Sequence, residues 1–313
     1  MALLEKLQAG IPTLSYELFP PKNPSGWGTL YGTLGELSRQ SPDYISVTYG
    51  AGGSTRSKTV DLVARIQNEL GIESVAHLTC VGHSREELRG ILSPLVGAGI
   101  RNVLALRGDP PKGDAAFKPH PDGFAHASDL IRFIKDNFPL RIACAHYPEK
   151  HVEAVSLESD IAHLKLKQDN GAQFAISQLF FDNGNFYRFR DRCAAAGVTL
   201  PLVAGIMPVL NLGQLSRFRE LSGCVIPEAL VGFLGNGEPA SILDRGVEFA
   251  TRQSEDLLKN GIAGIHLYSL NQSHSSARIT GNLRTLGYFP LPAENRPGAV
   301  AQGAAPGQAA GSR

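Results

Sequence analysis

The chain alternates short apolar runs with longer amphipathic segments almost from its start to residue 290. Eight runs have the length and the β-branched or aromatic content of strands, and each is followed by a turn and a helical pattern. The predicted strands span residues 14–19, 43–49, 74–80, 102–106, 141–147, 175–181, 200–206 and 262–267. Strands that alternate with helices indicate a parallel sheet covered by helices.

Between the strands, apolar residues recur with a period near 3.6, which predicts helices. In residues 85–96, for example, Leu88, Leu92 and Leu95 share one stripe, and Gly97 follows. The predicted helices span residues 59–70, 85–96, 128–138, 157–169, 185–196, 212–221, 241–260 and 271–286, with an additional short helix within 226–237.

Eight strand–helix units of roughly 30 to 40 residues each predict a (β/α)8 TIM barrel in a single α/β domain. A doubly wound open sheet is the alternative, but it normally carries a Gly-x-Gly-x-x-Gly turn, and Gly50, Gly52 and Gly53 lack that spacing. We assign residues 1–290 to the barrel. Residues 291–313, rich in Ala, Gly and Pro, are predicted to be a disordered tail.

The composition narrows the class of protein. Thirty basic residues against 29 acidic ones leave a net charge of +1, which gives no reason to expect nucleic acid or an anionic membrane as a partner. No apolar run approaches the ~18 residues of a membrane span, and the first ten residues do not resemble a secretory signal. The four cysteines are far apart and form no Cys-x-x-Cys pair. We therefore expect a soluble cytoplasmic protein with reduced thiols.

The most informative single residue is Glu17, which lies within the first predicted strand. Alternate strand residues point to opposite faces, so Ser15, Glu17 and Phe19 share one face. Both faces of a central strand are buried. Desolvation is therefore expected to raise the pKa of the Glu17 carboxyl and make it a proton donor near neutrality. The alternative is a structural carboxylate paired with a buried arginine or a backbone amide.

Polar residues are concentrated at the carboxyl ends of the predicted strands, where barrels of this class build their active sites. The set comprises Glu17, Thr48, Tyr49, His77, Arg107, Asp109, His146, Tyr147, Gln178, Asp182 and Tyr268. It contains no lysine, which argues against a Schiff-base aldolase. The sequence lacks a Gly-x-Ser-x-Gly elbow, and no histidines and carboxylates have metal-ligand spacing. We therefore expect neither a serine hydrolase of that type nor a metal site.

The predicted helix after the fifth strand has an unusual face. Asp160, His163 and Lys167 stand at i, i+3 and i+7 and therefore share one side of the helix. An acid, an imidazole and a cation suit the hydroxyls of a ribose and the oxygens of a diphosphate. A solvated face with a loose Asp–Lys pair is the alternative.

Several blocks, taken together and in order, resemble the methylenetetrahydrofolate reductase family in its short bacterial form. They are residues 15–21 (SYELFPP), 47–51 (VTYGA), 77–80 (HLTC), 106–109 (LRGD), 127–130 (ASDL), 147–149 (YPE), 178–182 (QLFFD) and 205–208 (GIMP). The resemblance implies an FAD-binding (β/α)8 barrel in which NADH or NADPH gives up hydride and leaves. Methylenetetrahydrofolate then receives the hydride and becomes methyltetrahydrofolate, in one-carbon metabolism that feeds methionine synthesis. It also implies small-molecule partners and a homo-oligomer.

The resemblance also assigns roles to residues of this sequence. Glu17 is implied as the general acid that protonates the departing amine, and Asp109 as the acid beside the pyrimidine edge of the flavin. Cofactor binding is implied for Thr48, Tyr49, Ala51, His77, Arg107, Gly108, Asp109, Ala127, Tyr147, His151, Ala154, Asp160, His163 and Lys167. Substrate binding is implied for Glu17, Thr48, Gln178, Gln214, Phe218 and Gln272, and no metal is implied.

Two positions depart from the family pattern. Gln272 stands where an arginine is common and offers the folate tail a hydrogen bond but no charge, and His163 stands where asparagine is more usual. A flavin barrel that oxidises an amino acid, such as proline dehydrogenase, is a second hypothesis. It requires paired arginines for a carboxylate, whereas the last helix has only Arg278 and Arg284. A non-catalytic flavin or folate carrier is the third, disfavoured because the implied catalytic residues are all present.

Overall fold

The computed structural model describes residues 1–21, 23–49, 56–109 and 119–292. In this part of the chain, eight parallel strands close into a barrel in sequence order, and the last strand pairs with the first. The strands are β1 (Thr13–Leu18), β2 (Tyr44–Val47), β3 (Glu73–Thr79), β4 (Asn102–Leu106), β5 (Arg141–His146), β6 (Phe174–Ser177), β7 (Leu202–Ile206) and β8 (Gly264–Tyr268). The predicted (β/α)8 TIM barrel is confirmed.

The helices surround the barrel and close its lower end. They are α1 (Leu3–Gln8), α2 (Gly26–Ser38), α3 (Arg56–Asn68), α4 (Arg85–Gly97), α5 (Ala127–Asn137), α6 (Leu157–Asn170), α7 (Asn183–Ala195), α8 (Gly213–Ser222), α9 (Glu228–Leu234), α10 (Pro239–Lys259) and α11 (Ser273–Thr285). The sequence pattern gave no bounds for α1 or for α2, the helix after the first strand. In α2 the glycines lower helix propensity, but burial of Leu30, Leu34 and Leu37 against the barrel compensates.

The two faces of each strand serve different purposes. On β1, Leu14, Tyr16 and Leu18 pack in the main core between the barrel and the helices, whereas Ser15 and Glu17 belong to the barrel interior. The face assignment made from sequence is therefore confirmed for the residues within the strand.

The lower half of the barrel interior is apolar. Its cluster is formed by Leu3, Leu7, Tyr44, Val75, Leu104, Ala143, Phe174, Ile176 and Val203. Leu3 and Leu7 come from α1, which is anchored where the Leu3 amide donates to Glu73 Oε1 at 2.8 Å. Because apolar side chains fill the barrel interior at this end, the space for a ligand lies at the carboxyl ends of the strands.

The long connection between β7 and β8 builds a separate apolar cluster, which we call the cap core. It comprises Leu179, Phe181, Met207, Val209, Leu215, Phe218, Cys224, Leu230, Leu234 and Ile242. The predicted additional short helix exists as α9. The cap core therefore covers one side of the barrel mouth, next to the ends of β6 and β7.

The predicted tail falls almost entirely outside the described residues, which end at Pro292. Within the described ranges, none of the helices combines the length and apolar character required to cross a bilayer.

One buried histidine on the outer face of the barrel makes stability depend on pH. His146 is 1% exposed and stacks on Phe189 of α7, with ring centroids 4.9 Å apart. Burial lowers the pKa of His146 to about 3. In the unfolded chain a histidine titrates near 6.5, so between these values the unfolded state binds the extra proton.

We predict that the free energy of unfolding decreases below about pH 6.5, with His146 contributing up to about 1.4 kcal/mol for each pH unit. Urea unfolding between pH 5 and 7 measures this slope. His146→Leu should reduce the slope by close to one proton, whereas the same change at the exposed His274 should not. An unchanged slope in His146→Leu would contradict the assignment.

Candidate active site

A cavity of about 340 Å³ opens at the carboxyl ends of the strands. Its lining includes the polar residues Glu17, Thr48, His77, Arg107, Asp109, Tyr147, His151, Ser177, Gln178, Ser222 and Tyr268, together with Gly108. Eight of the eleven polar residues, all but His151, Ser177 and Ser222, belong to the polar set at the predicted strand ends. The barrel thus brings together residues from seven of its eight strands or the loops that follow them.

Two histidines flank the carboxylate of Glu17. His77 Nε2 on β3 lies 3.6 Å from Glu17 Oε2, and His266 Nε2 on β8 lies 3.8 Å from the same oxygen. Both imidazoles are buried, whereas the Glu17 side chain is 21% exposed, towards the cavity. The carboxylate therefore has imidazole partners on the inside and an open side that faces a ligand.

The expectation of a raised pKa at Glu17 is wrong. Burial by itself raises the pKa of this carboxyl, but the facing His266 and His77 rings outweigh it, and the pKa is lowered. Burial lowers the pKa of His77 to about 4, although the nearby charge of Glu17 acts in the opposite direction. The sequence showed the buried strand but not the two histidines that other strands place beside it.

His266 was absent from the predicted site, although its imidazole lies beside Glu17 on the side that faces the barrel interior. Its Nδ1 lies 2.7 Å from Ser15 Oγ, and its Nε2 lies 3.3 Å from Ser46 Oγ. The Tyr44 ring stacks on it from below, with centroids 5.8 Å apart. A histidine inside an apolar predicted strand, two residues before Tyr268, is the signal that could have found it.

A second cavity, of about 350 Å³, lies beside the first. It is lined by Ala105, Leu106, Arg107, His126, Ala127, Ser128, Ala145, Tyr147, His151, Glu153, Ala154, Asp160, His163, Leu166 and Lys167. Arg107, Tyr147 and His151 line both cavities. The two cavities therefore share a wall and together can accept an elongated molecule.

The predicted polar face of α6 lines this second cavity. Asp160, His163 and Lys167 all lie on its wall. Asp160 Oδ2 accepts a hydrogen bond from the His151 amide at 2.8 Å, and Lys167 Nζ donates to the Ala145 carbonyl at 3.0 Å. Ser156 caps the helix by accepting from the Ser159 amide. Hydrogen bonds to the neighbouring strand and loop thus orient both charged groups.

The guanidinium of Arg107 is engaged by a carboxylate that the sequence analysis did not identify. Its Nη1 and Nη2 donate to the two oxygens of Glu153, the second bond being 2.8 Å long. An arginine fork can make the same two-point contact with phosphate or flavin oxygens. The pair closes the shared wall of the two cavities.

Other predicted residues lie away from both linings. Phe218 is 5% exposed and packs within the cap core against Phe181, and Gln214 Oε1 accepts from the Leu210 amide at 2.7 Å. Gln272 is exposed and stands at the N-cap of α11, and the Tyr49 phenol lies 3.3 Å from His83 Nε2. Ala51 lies outside the described residues. Long-range packing, which the resemblance does not specify, determines these positions.

A closed parallel barrel with a polar cleft at its carboxyl end defines the architecture of a TIM-barrel enzyme. The chain matches the family described as "Methylenetetrahydrofolate reductase" over residues 3–284 and belongs to that family. It is therefore an oxidoreductase of folate one-carbon metabolism.

Individual relatives agree with this assignment. The chain is 36% identical over 289 residues to 5,10-methylenetetrahydrofolate reductase of Pectobacterium carotovorum subsp. carotovorum, covering 92% of this chain and 94% of that protein. Identity to the Escherichia coli (strain K12) enzyme of the same name is 36% over 281 residues, covering 88% and 91%. Against methylenetetrahydrofolate reductase (NADH) 1 of Arabidopsis thaliana it is 35% over 303 residues, and the chain spans about half of that relative (51%).

A solved structure supports the fold alone. An uncharacterised protein of Clostridium thermocellum, described as binding two copies of 5-methyl-5,6,7,8-tetrahydrofolic acid, superposes with a TM-score of 0.62. The match covers 91% of this chain and 99% of that chain, at 17% identity.

The glycine next to Arg107 is required by packing within the site wall. Gly108 has a φ of +87°, and a Cβ there would lie 2.7 Å from Val81 Cγ1 and 2.9 Å from Thr79 Cβ. These contacts are with protein atoms, so packing by itself requires glycine at this position.

We predict that Gly108→Ala destabilises the protein by about 1–3 kcal/mol more than Gly82→Ala. Gly82 has a similar φ of +74°, but its added Cβ meets nothing within 4 Å, so it controls for backbone strain alone. Chemical denaturation of both variants measures the difference. Equal losses would show that the Val81 and Thr79 contacts relax without cost.

Proposed function

We propose that this enzyme reduces methylenetetrahydrofolate to methyltetrahydrofolate, with a reduced nicotinamide as the hydride donor and FAD as the intermediate carrier. The observation that carries the proposal is the position of Glu17. Its carboxylate faces a cavity that Gln178 and Asp109 also line. That cavity adjoins a second one, whose polar side chains can bind a ribose and a diphosphate. Family membership supports the same reaction.

The residues present fit FAD. The second cavity offers Asp160 to hydroxyl donors and Lys167 and His163 to phosphate oxygens, and the small residues Ala127 and Ala154 also line it. The shared wall of Arg107 and Tyr147 leads from there to the cavity that contains Glu17. When bound, FAD supplies a group that accepts hydride from one substrate and returns it to the next.

Glu17 supplies the proton of the reaction. Opening the methylene bridge to an electrophilic iminium breaks a carbon–nitrogen bond, and the departing amine must gain a proton. One proton from solution is consumed for each methyltetrahydrofolate formed, because the donor delivers only hydride. Glu17 takes up that proton at its exposed side and transfers it to the amine nitrogen.

The exposed side of Glu17 also determines when it becomes an acid. The two histidines keep the carboxyl ionised while water reaches it. Ring systems that occupy the cavity remove this water, which penalises the charged form and raises the pKa of the carboxyl. Proton uptake is thereby coupled to occupation of the site.

Gln178 and Asp109 orient the substrate around this proton transfer. The amide oxygen of Gln178 accepts from the Leu179 amide at 2.9 Å, so its Nε2 supplies the donors available to a bound ring. Asp109 is exposed at the rim of the cavity, where its charge would stabilise a cationic iminium and would disfavour negative charge on a bound flavin ring.

We predict that the purified protein is yellow, loses its visible absorbance anaerobically with NADH or NADPH, and regains it when methylenetetrahydrofolate is added. Stopped-flow absorbance measures each half-reaction separately. Recovery with the oxidation product of proline in place of the folate would contradict the proposal, as would colour that no nicotinamide bleaches.

We predict that Glu17→Gln lowers the rate of the folate half-reaction about 10²–10⁴-fold and leaves reduction by nicotinamide within a few-fold of the parent. In the parent enzyme the folate half-reaction should also slow as pH rises, because fewer Glu17 carboxyls hold a proton. Glu5→Gln, an exposed change at the closed end of the barrel, is the control. Equal losses in both half-reactions would assign Glu17 a structural role.

A further inference from the structure

One tyrosine connects two strands that are not neighbours in the barrel. The phenol of Tyr268, at the end of β8, donates to the Ser177 carbonyl, at the end of β6, over 2.6 Å. The strand between them is β7. Burial raises the pKa of Tyr268 well above its ordinary value, so the phenol keeps the proton that it donates.

A glycine on the intervening strand makes this contact possible. A Cβ on Gly205 of β7 would lie 2.4 Å from the Ser177 carbonyl oxygen and 2.7 Å from the Tyr268 hydroxyl. The Gly205 amide instead donates to Ser177 Oγ at 2.8 Å. Glycine is therefore the residue that lets all three strand ends meet.

These bonds replace ordinary strand pairing. The described pairing of β6 with β7 consists of Ala175 with Leu202 and Ile176 with Val203, and it stops before Ser177. Beyond that point, the end of β6 is attached to its later neighbours through the Tyr268 phenol and the Ser177 hydroxyl. Gln178 follows directly, and its main-chain N–H donates to the His146 carbonyl on β5 at 2.8 Å.

We propose that Tyr268 is a positioning residue: it fixes the main chain at Ser177 and thereby orients the side-chain amide of Gln178 towards the substrate. The inference rests on the proposed function, in which Gln178 contacts the ring substrate. The hydroxyl acts through the main chain, because its proton is donated to Ser177. The ring itself packs edge-on to His266 and against the cap core.

The first test measures the attachment without any substrate. In Tyr268→Phe, amide hydrogen exchange at residues 177–179 should accelerate at least several-fold, because the strand end loses an anchor. Tyr187→Phe removes a similar phenol bond, to Asp256 Oδ2 at 2.6 Å, away from the cavity. That control should leave exchange at residues 177–179 unchanged, and unchanged exchange in Tyr268→Phe would overturn the proposal.

The second test is a double-mutant cycle between Tyr268→Phe and Gln178→Ala. The dissociation constant of methyltetrahydrofolate, from the change in flavin absorbance, should increase about tenfold on loss of the hydroxyl in the parent. In the Gln178→Ala background the same loss should change it less than twofold. An equal factor in both backgrounds would show that Tyr268 acts independently of Gln178 and would overturn the proposal.

Gly205→Ala is a second way to break the bond between Tyr268 and Ser177, and it leaves the phenol in place. Its Cβ displaces the Tyr268 hydroxyl from Ser177, so it should accelerate exchange at residues 177–179 and weaken folate binding only while Gln178 is present. Amide exchange at residues 177–179 that stays as slow as in the parent would count against the proposal that the Tyr268 phenol anchors this strand end. If the parent does not bind methyltetrahydrofolate, the proposed function fails, and the exchange experiment still decides whether Tyr268 anchors the strand end.

Discussion

A carboxylate inside a protein requires partners that stabilise its charge, and Glu17 obtains them from two histidines on different strands. His77 and His266 approach the same oxygen at 3.6 and 3.8 Å, and Ser15 and Ser46 hold the second imidazole from below. Only a closed barrel places β1, β3 and β8 around one point. The remaining polar residues of the cavity are arranged above this group.

The lower half of the barrel interior stabilises the fold, and the upper half carries the residues of the site. Apolar side chains and α1 seal its lower half, which leaves the upper half for charged groups that would be costly in an apolar core. The cap core, built by the long connection between β7 and β8, shields one side of the mouth. A reaction that separates charge benefits from such a site, because fixed dipoles there are weakly screened by water.

At both ends of the cleft, groups from neighbouring strands and loops orient the residues of the site. Asp160 and Lys167 are oriented by main-chain groups of the β5–α6 region, and Ser177 by a phenol from β8. Functional side chains on neighbouring elements thus hold one another through backbone atoms, which are less mobile than free side chains. The glycines Gly108 and Gly205 are required where two such elements approach closely.

The sequence by itself determined the strand order, most helices and the strand-end residues, because period-two and period-3.6 patterns are local properties of the chain. The polar face of α6 followed from the same periodicity. Tertiary structure alone decided the lowered pKa of Glu17, the pairing of Arg107 with Glu153 and the burial of Phe218 in the cap core. These depend on residues far apart in the chain, and the distances between them are set only when the barrel closes.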